Sequence, residues 1–140
     1  MKTRNMLLIT VVLLGTIALS SFILEPQAGF HKFISQKPET RAERITTVLK
    51  NKLSLNDVQT EKAYAINLRY AQLNQPYLKE ANDDFQISQE MIDLNTHRRD
   101  ELKAILTPEQ VEKAEQIRQK MITRLELLLA QLKENDSNNH

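Results

Sequence analysis

Cysteine is absent from the whole chain, which excludes disulfides, thiol catalysis and thiolate metal sites. Glycine is almost as scarce, because the only two glycines are Gly15 and Gly29 and none occurs over the remaining residues up to His140. Tight hairpin turns and phosphate-binding loops usually need glycine. The composition therefore predicts an all-α protein and argues against a nucleotide-binding loop.

An excess of charge of one sign is also lacking. The 140 residues include 19 Lys and Arg and 18 Asp and Glu, for a net charge of +1. Lys2 and Arg4 precede the first apolar segment, and without them 17 basic residues face 18 acidic ones. This balance is not that of a nucleic-acid-binding protein, so we expect no nucleic-acid partner.

Recognisable catalytic motifs are missing as well, and we predict that the protein is not an enzyme. There is no HExxH motif and no Ser-His-Asp order, and none of the three histidines is paired with another at helical spacing. His97 shares a helix face with Asp93 and Asp100, but we interpret this group as a solvated polar face. The sequence thus predicts no catalytic residue, no cofactor and no metal site.

The first 24 residues have the order of a secretory signal. Two basic residues come first, and an apolar run follows over residues 6–24. The run is also long enough to span a bilayer, so residues 1–24 are either a cleaved signal peptide or an uncleaved anchor that attaches the protein to the inner membrane. Both interpretations place the rest of the chain outside the cytoplasm, in the periplasm, because the basic residues stay inside.

Residues 25–39 form a predicted linker between this segment and the helices. They contain Pro26, Gly29 and Pro38, which disfavour regular structure. Phe30 and Phe33 nevertheless make the linker less polar than a plain tether. It is compatible with docking on the helical domain, on a partner or at the membrane surface, and the sequence does not choose among them.

Four capping boxes divide the rest of the chain into four predicted helices. In a capping box, a short polar N-cap residue is followed three residues later by Glu or Gln, and each side chain bonds the other's backbone N–H. The boxes begin at Thr40, Asn56, Asp83 and Thr107. They predict helices over residues 40–52, 56–80, 83–105 and 107–134, with Pro76 as a kink or early end, followed by a disordered tail over 135–140.

Apolar residues recur at helical spacing in the last three of these segments, so each predicted helix must bury a face. The short connections favour antiparallel neighbours. We therefore predict a thin bundle of about four antiparallel helices over residues 40–134. The leucine-rich run in the last helix is either ordinary core or a partner and dimer surface, formed by Met121, Leu125, Leu128, Leu129 and Leu132.

The densest charge cluster is the sequence HRRDELK, which begins with His97, Arg98 and Arg99. It is a candidate binding patch for acidic groups. A charge run of this kind is more often a solvated helix face, and we favour that interpretation.

One short pattern occurs twice, as Leu-Asn-Asp-Val-Gln and Leu-Thr-Pro-Glu-Gln, and both copies coincide with predicted helix starts. In the second copy, Thr107 is the predicted N-cap, Pro108 falls at the favoured first helical position, and Gln110 closes the capping box. The residues that define the pattern are Leu55, Asn56, Gln59, Leu106, Thr107, Pro108 and Gln110. The local function of this motif is to start a helix, not to catalyse a reaction.

Two such motifs behind an export-like segment resemble the LTxxQ family of Spy/CpxP-like periplasmic proteins. The second copy matches the family pattern fully, whereas the first has Asn56 where the family usually has Thr. The resemblance implies a small helical protein of the bacterial envelope, often a dimer shaped as a shallow cradle. It also implies ATP-independent holding of unfolded proteins or an accessory role in envelope stress. Metal-resistance regulators are more distant relatives, and the chain lacks the histidine-rich composition expected of them.

Overall fold

The computed structural model describes residues 35–79 and 88–138, and in these ranges it contains four α-helices and no strand. The predicted all-α fold is therefore confirmed. The N-terminal segment of residues 1–24 and most of the linker lie outside the described residues. The helices are α1 (Pro38–Leu53), α2 (Asp57–Lys79), α3 (Gln89–Ala104) and α4 (Pro108–Asn138).

Two of the helix starts differ from the prediction. Helix α1 begins at Pro38 and is preceded by Lys37, which makes no side-chain capping bond, so the capping box predicted at Thr40 is wrong. The fixed φ of proline suits the first helical position, and Pro38 therefore starts the helix earlier. Helix α3 is capped by Ser88, whose Oγ accepts a hydrogen bond from the Met91 backbone N–H at 3.3 Å.

The ends of α2 and α4 compare differently with the prediction. Pro76 lies inside α2, which continues to Lys79, next to the predicted end at residue 80, so Pro76 does not end the helix early. Helix α4 is 31 residues long and reaches Asn138, so it extends past the predicted boundary at residue 134. The capping box predicted at residues 83–86 lies outside the described residues.

Helices α1 and α2 form an antiparallel pair around a three-residue connection. Lys50 near the end of α1 pairs with Asp57 at the start of α2, whereas Arg41 near the start of α1 reaches Ala71 and Gln75. Helix α2 also packs on α3, and α1 also packs on α4. The connection is made possible by Ser54, which adopts a left-handed conformation with φ of 56° where glycine would be favoured.

A small apolar core lies where the helices meet. Its buried members come from the middle and end of α1, the connection that follows it and the start of α2. Residues of α3, of α4 and of the connection between them pack against this set. The buried set is Ile45, Leu49, Leu53, Leu55 and Ala63, and the partly buried set is Leu102, Ile105, Leu106, Ala114, Ile117 and Met121.

The buried face of α2 is rotated from the predicted one and is partly polar. The apolar and aromatic residues that recur at helical spacing in this segment are Ile66, Tyr70, Leu73 and Tyr77. Of these, Tyr70 is buried but Leu73 is 47% exposed. Asn67 and Asn74 are buried instead, and the Asn67 amide donates to the Thr46 hydroxyl at 3.0 Å. Because two of the buried positions are asparagines, hydrophobic periodicity alone does not identify this face.

Candidate functional site

The first motif folds into a complete capping box. The Gln59 backbone N–H donates to Asn56 Oδ1 at 2.8 Å, and the Asn56 backbone N–H donates to Gln59 Oε1 at 3.1 Å. Two of the free N–H groups at the start of α2 are thereby satisfied. Leu55 is 5% exposed and belongs to the apolar core. The predicted role of Asn56 as an N-cap is confirmed, although strict capping boxes use Ser or Thr.

The second motif repeats this arrangement at the start of α4. The Gln110 backbone N–H donates to Thr107 Oγ1 at 3.2 Å, and the Thr107 backbone N–H donates to Gln110 Oε1 at 3.0 Å. Pro108 is the first residue of the helix, as predicted, and Leu106 packs against the core. Both motifs therefore bring a leucine to the same core and a glutamine to a helix start.

The two glutamines bond directly to each other across 51 residues of sequence. Gln59 Nε2 donates to Gln110 Oε1 at 2.7 Å, and Gln110 Nε2 donates to Gln59 Oε1 at 3.2 Å. We call this reciprocal pair the glutamine clasp. It joins the start of α2 to the start of α4.

Each glutamine also binds the carbonyl of a residue close to the other motif. Gln59 Nε2 donates to the Ile105 carbonyl at 3.1 Å, and Gln110 Nε2 donates to the Leu53 carbonyl at 3.2 Å. These carbonyls lie at the ends of α3 and α1, where helical partners are lacking. Each glutamine thus caps the start of its own helix and also binds a carbonyl at the end of another helix: Gln59 at the end of α3, and Gln110 at the end of α1.

The clasp explains why both motifs carry glutamine where a capping box accepts Glu equally well. An amide has two acceptor lone pairs on its oxygen and two N–H donors on its nitrogen. In both side chains the oxygen accepts from the N-cap N–H and from the other amide, and the nitrogen donates to a carbonyl and to the other amide. A glutamate would lose both donors. This choice of residue is the only sequence signal of the pairing.

The candidate charged patch is divided by the structure. His97 is exposed and Arg99 is half-buried, but Arg98 is only 6% exposed and its guanidinium donates to Asn95 Oδ1 at 2.7 Å. The interpretation of this run as a solvated face is therefore wrong for Arg98. Burial lowers the pKa of Arg98 to about 10, so the group stays charged near neutral pH.

A polar contact joins α2 to α3 next to this arginine. The Tyr70 hydroxyl donates to Glu101 Oε1 at 2.7 Å, and Arg69 forms an ion pair with the same carboxylate. The hydrogen bond from Tyr70 is the main cause that lowers the pKa of Glu101. Burial and the same hydrogen bond raise the pKa of Tyr70. Sequence reasoning assigned no role to Tyr70 beyond packing.

A buried arginine also connects α1 to α2. Arg41 is 2% exposed, and it donates to the Gln36 carbonyl at 2.9 Å, the Ala71 carbonyl at 3.0 Å and Gln75 Oε1 at 2.6 Å. Burial lowers its pKa. No sequence pattern marks Arg41, because a lone arginine in a first helical turn is ordinarily solvated.

The predicted partner surface on α4 is only partly described. Met121 is half-buried and packs against the apolar core of its own chain. The neighbouring Leu127, which was not in the predicted set, is 61% exposed. The side chains of Leu125, Leu128, Leu129 and Leu132 lie outside the described residues, so the dimer stays a prediction.

Within residues 35–79 and 88–138, no three His, Asp or Glu side chains are grouped as metal ligands. None of the described helices has the length and apolar character needed to cross a membrane. The segment that was predicted to do so, residues 6–24, lies outside the described part of the chain.

Comparison with known proteins gives one match. A family model described as "Domain of unknown function (DUF4890)" matches residues 27–114, which is more than half of the chain. The chain belongs to this family. The match contains both motifs and most of the linker, and it ends at Ala114 in the first part of α4. No curated protein and no solved structure matches the chain.

Proposed function

We propose that this member of the DUF4890 family is an exported, ATP-independent protein that binds unfolded or partner proteins in the bacterial envelope, in the manner of the LTxxQ family. The observation that carries the proposal is the glutamine clasp, because it gives both copies of the motif a shared structural role. Two separate helix starts need no particular pairing. The clasp instead fixes α4 to the pair formed by α1 and α2 and so supports a stable helical surface.

The exposed surface of the described residues has the mixed character that loose protein binding needs. Four large apolar side chains of the described residues are exposed: Val58 and Leu73 on α2, Ile92 on α3 and Leu127 on α4. They lie among many charged residues of both signs. Charges speed encounter with a partner, whereas scattered apolar contacts hold it weakly enough for release without ATP.

Purified protein should suppress the aggregation of a chemically unfolded client in the absence of ATP, measured by light scattering. Leu73→Ser together with Ile92→Ser should weaken the suppression, because both side chains are exposed apolar contacts. The matched control is Gln72→Ser, an exposed polar residue beside Leu73 on α2. A lack of suppression at several-fold molar excess would count against the proposal, as would equal activity of the double variant and wild type.

A homodimer is part of this proposal and is tested separately. Among the side chains described in the leucine-rich part of α4, Leu127 is 61% exposed, and it is the side chain that we assign to a contact between two copies. Sedimentation of wild type and Leu127→Ser at matched concentrations should show a dimer that the substitution weakens. A monomer at all concentrations would remove the dimer from the proposal without affecting client binding by the single chain.

The second candidate function is that of a membrane-anchored subunit that contacts a partner such as a sensor protein. The observation that favours it is the apolar run of residues 6–24, which is long enough to serve as an anchor. Determining the N-terminus of the exported protein separates the two candidates. A chain that starts near Phe22 favours the soluble binding protein, whereas an intact Met1 favours the anchored subunit. A metal-resistance regulator ranks last.

A further inference from the structure

Helices α1 and α2 form an open groove that begins beside the connection between them. Its volume is about 360 Å³, close to that of the smaller ligand-binding clefts in proteins. The lining residues lie within residues 43–50 of α1 and 57–64 of α2, about two turns of each helix. Neither Gln59 nor Gln110 lines it, so the groove is separate from the glutamine clasp.

The threonines that line the groove offer it apolar contact. The Thr60 hydroxyl donates to the Asn56 carbonyl at 2.7 Å, and the Thr46 hydroxyl accepts from the Asn67 amide at 3.0 Å. Because both hydroxyls are already bonded within the helix pair, the methyl groups are the parts available to an occupant. Tyr64, one turn after Thr60, adds an aromatic ring to the same lining.

The charged residues of the lining carry an excess of negative charge. Three carboxylates, those of Glu43, Asp57 and Glu61, face the one ammonium group of Lys50, for a net charge of −2 in a chain whose total is +1. Lys50 Nζ lies 3.5 Å from Asp57 Oδ1, so these two charges largely offset each other. Glu43 and Glu61 are exposed, and neither forms an ion pair with another residue in the described part of the chain. A positively charged occupant is therefore favoured.

The negative and apolar parts of the groove follow one another along the helices. Because α1 and α2 are antiparallel, the pair of Lys50 and Asp57 lies at the end next to the connection, whereas Glu43 and Tyr64 lie at the other end. Glu61 is on the same helix face as Tyr64, since residues three apart in a helix are neighbours. The two carboxylates without ion pairs thus lie towards the Tyr64 end, and the threonines extend from there towards the connection.

A lysine or arginine side chain matches the Tyr64 end of the groove. Its methylene stem covers apolar surface while its charged head reaches carboxylates, and such a cation is also attracted to the face of an aromatic ring. A second, apolar side chain matches the threonine methyl groups. In an extended chain, alternate side chains point to the same side and lie about 6.6 Å apart, so both side chains fit within two helical turns, which span about 10 Å.

We propose that this groove binds an extended segment of another protein in which a lysine or arginine lies two residues from an apolar residue. The positive side chain lies against Tyr64 and beside Glu43 and Glu61, and the apolar side chain lies on the threonines. An open groove suits a chain that continues past both ends, whereas a small free cation would leave the threonines uncovered. The proposal rests on the binding function proposed above and deepens it by naming the class of segment that is bound.

Titration of the full chain, labelled with nitrogen-15, with a synthetic peptide tests the groove directly. The peptide has one arginine and, two residues later, one leucine among glycines and serines, and both of its ends are blocked. Amide chemical shifts should change within residues 43–50 and 57–64. Glu43→Gln with Glu61→Gln should raise the Kd at least about fivefold, because two ion pairs with the arginine are lost. The matched control, Asp100→Asn with Glu126→Gln, removes two exposed carboxylates outside the groove and should change the Kd by less than about twofold.

Peptide controls need no change in the protein. Replacing the arginine with glutamine, or the leucine with serine, should each weaken binding, and equal binding of these peptides would overturn the proposal. So would an absence of shifts in the groove at millimolar peptide, or an equal Kd for the two double variants, which would indicate general attraction between charges. Spermidine that binds the groove as tightly as the peptide would identify a free cation as the occupant and contradict a protein segment.

The outcome is distinguishable from that of the aggregation assay. Peptide binding in the groove without suppression of aggregation would contradict the holding of unfolded clients and leave the groove assignment in place. Suppression of aggregation without peptide binding would contradict the groove assignment alone. Circular dichroism of both double variants should match wild type, since all four substituted residues are exposed.

Discussion

Replacing Gln110 with Glu distinguishes the contribution of the capping box from that of the glutamine clasp. The carboxylate is nearly isosteric with the amide and still accepts from the Thr107 N–H, as Gln110 Oε1 does at 3.0 Å. A negative charge at the start of α4 is itself favourable by about 0.3–1 kcal/mol. If the motif only starts a helix, Gln110→Glu should therefore be neutral or stabilising.

The clasp predicts the opposite result. Gln110→Glu removes the donors to the Leu53 carbonyl and to Gln59 Oε1, both at 3.2 Å. Each net hydrogen bond contributes about 0.5–1.5 kcal/mol, and partly buried acceptors that lose their donors add a further cost. After subtraction of the favourable charge effect, we expect a loss of about 1–3 kcal/mol in the free energy of unfolding at pH 7.

The control is Gln116→Glu on the same helix. Gln116 Nε2 donates only to Glu112 Oε1, at 3.3 Å on the exposed surface, so its replacement should cost no more than about 0.5 kcal/mol. Urea unfolding followed by circular dichroism measures both variants. The loss in the free energy of unfolding caused by Gln110→Glu should become smaller as the pH falls through about 4–5, because a protonated carboxyl regains a donor. Equal stability of the two variants at pH 7 would refute the clasp.

The remaining predictions concern other particular contacts. Thr107→Ala should lower stability by about 0.5–2 kcal/mol through loss of the N-cap, and an unchanged thermal melt would contradict the capping account. Ser54→Gly should raise the melting temperature, because glycine avoids the cost of a left-handed residue, which is about 1–2 kcal/mol for other residues; a lower melting temperature would be inconsistent with the φ of 56°. Tyr70→Phe should have a lower melting temperature than wild type at neutral pH. This difference in melting temperature should become smaller as the pH falls through the lowered pKa of Glu101, because Tyr70 stabilises the carboxylate form, which is then lost. Thermal melts at pH 7 and pH 3 test this, and a difference that does not depend on pH would refute it.

Much of the fold follows from the sequence because the signals that define it are local. The capping boxes at Asn56 and Thr107 predict the starts of α2 and α4, and both form as expected. The start of α1 is different, since Pro38 competes with the polar residue at position 40 and begins the helix. Local side chains determine all three helix starts. The starts of α2 and α4 each have one strong capping signal, whereas the start of α1 has two competing signals.

The contacts between helices are not predictable in the same way. The pairing of Gln59 with Gln110 depends on how the helices meet in space, and periodicity and capping carry no information about that. The burial of Arg98 and Asn67 is similar, because a polar side chain enters a core only where a particular neighbour accepts it. The sequence thus predicts where the motifs lie and what each does locally, but not that they join.

The most direct test of the clasp is to observe it in solution. Nuclear Overhauser effects should be measured between the side-chain amide protons of Gln59 and Gln110 in isotopically labelled protein. The structure predicts cross-peaks between these amides, because they are joined by two hydrogen bonds. Gln59 Nε2 lies 2.7 Å from Gln110 Oε1, and Gln110 Nε2 lies 3.2 Å from Gln59 Oε1. Cross-peaks that connect each glutamine only to its own N-cap residue would show that the two motifs start helices separately, and would contradict the account.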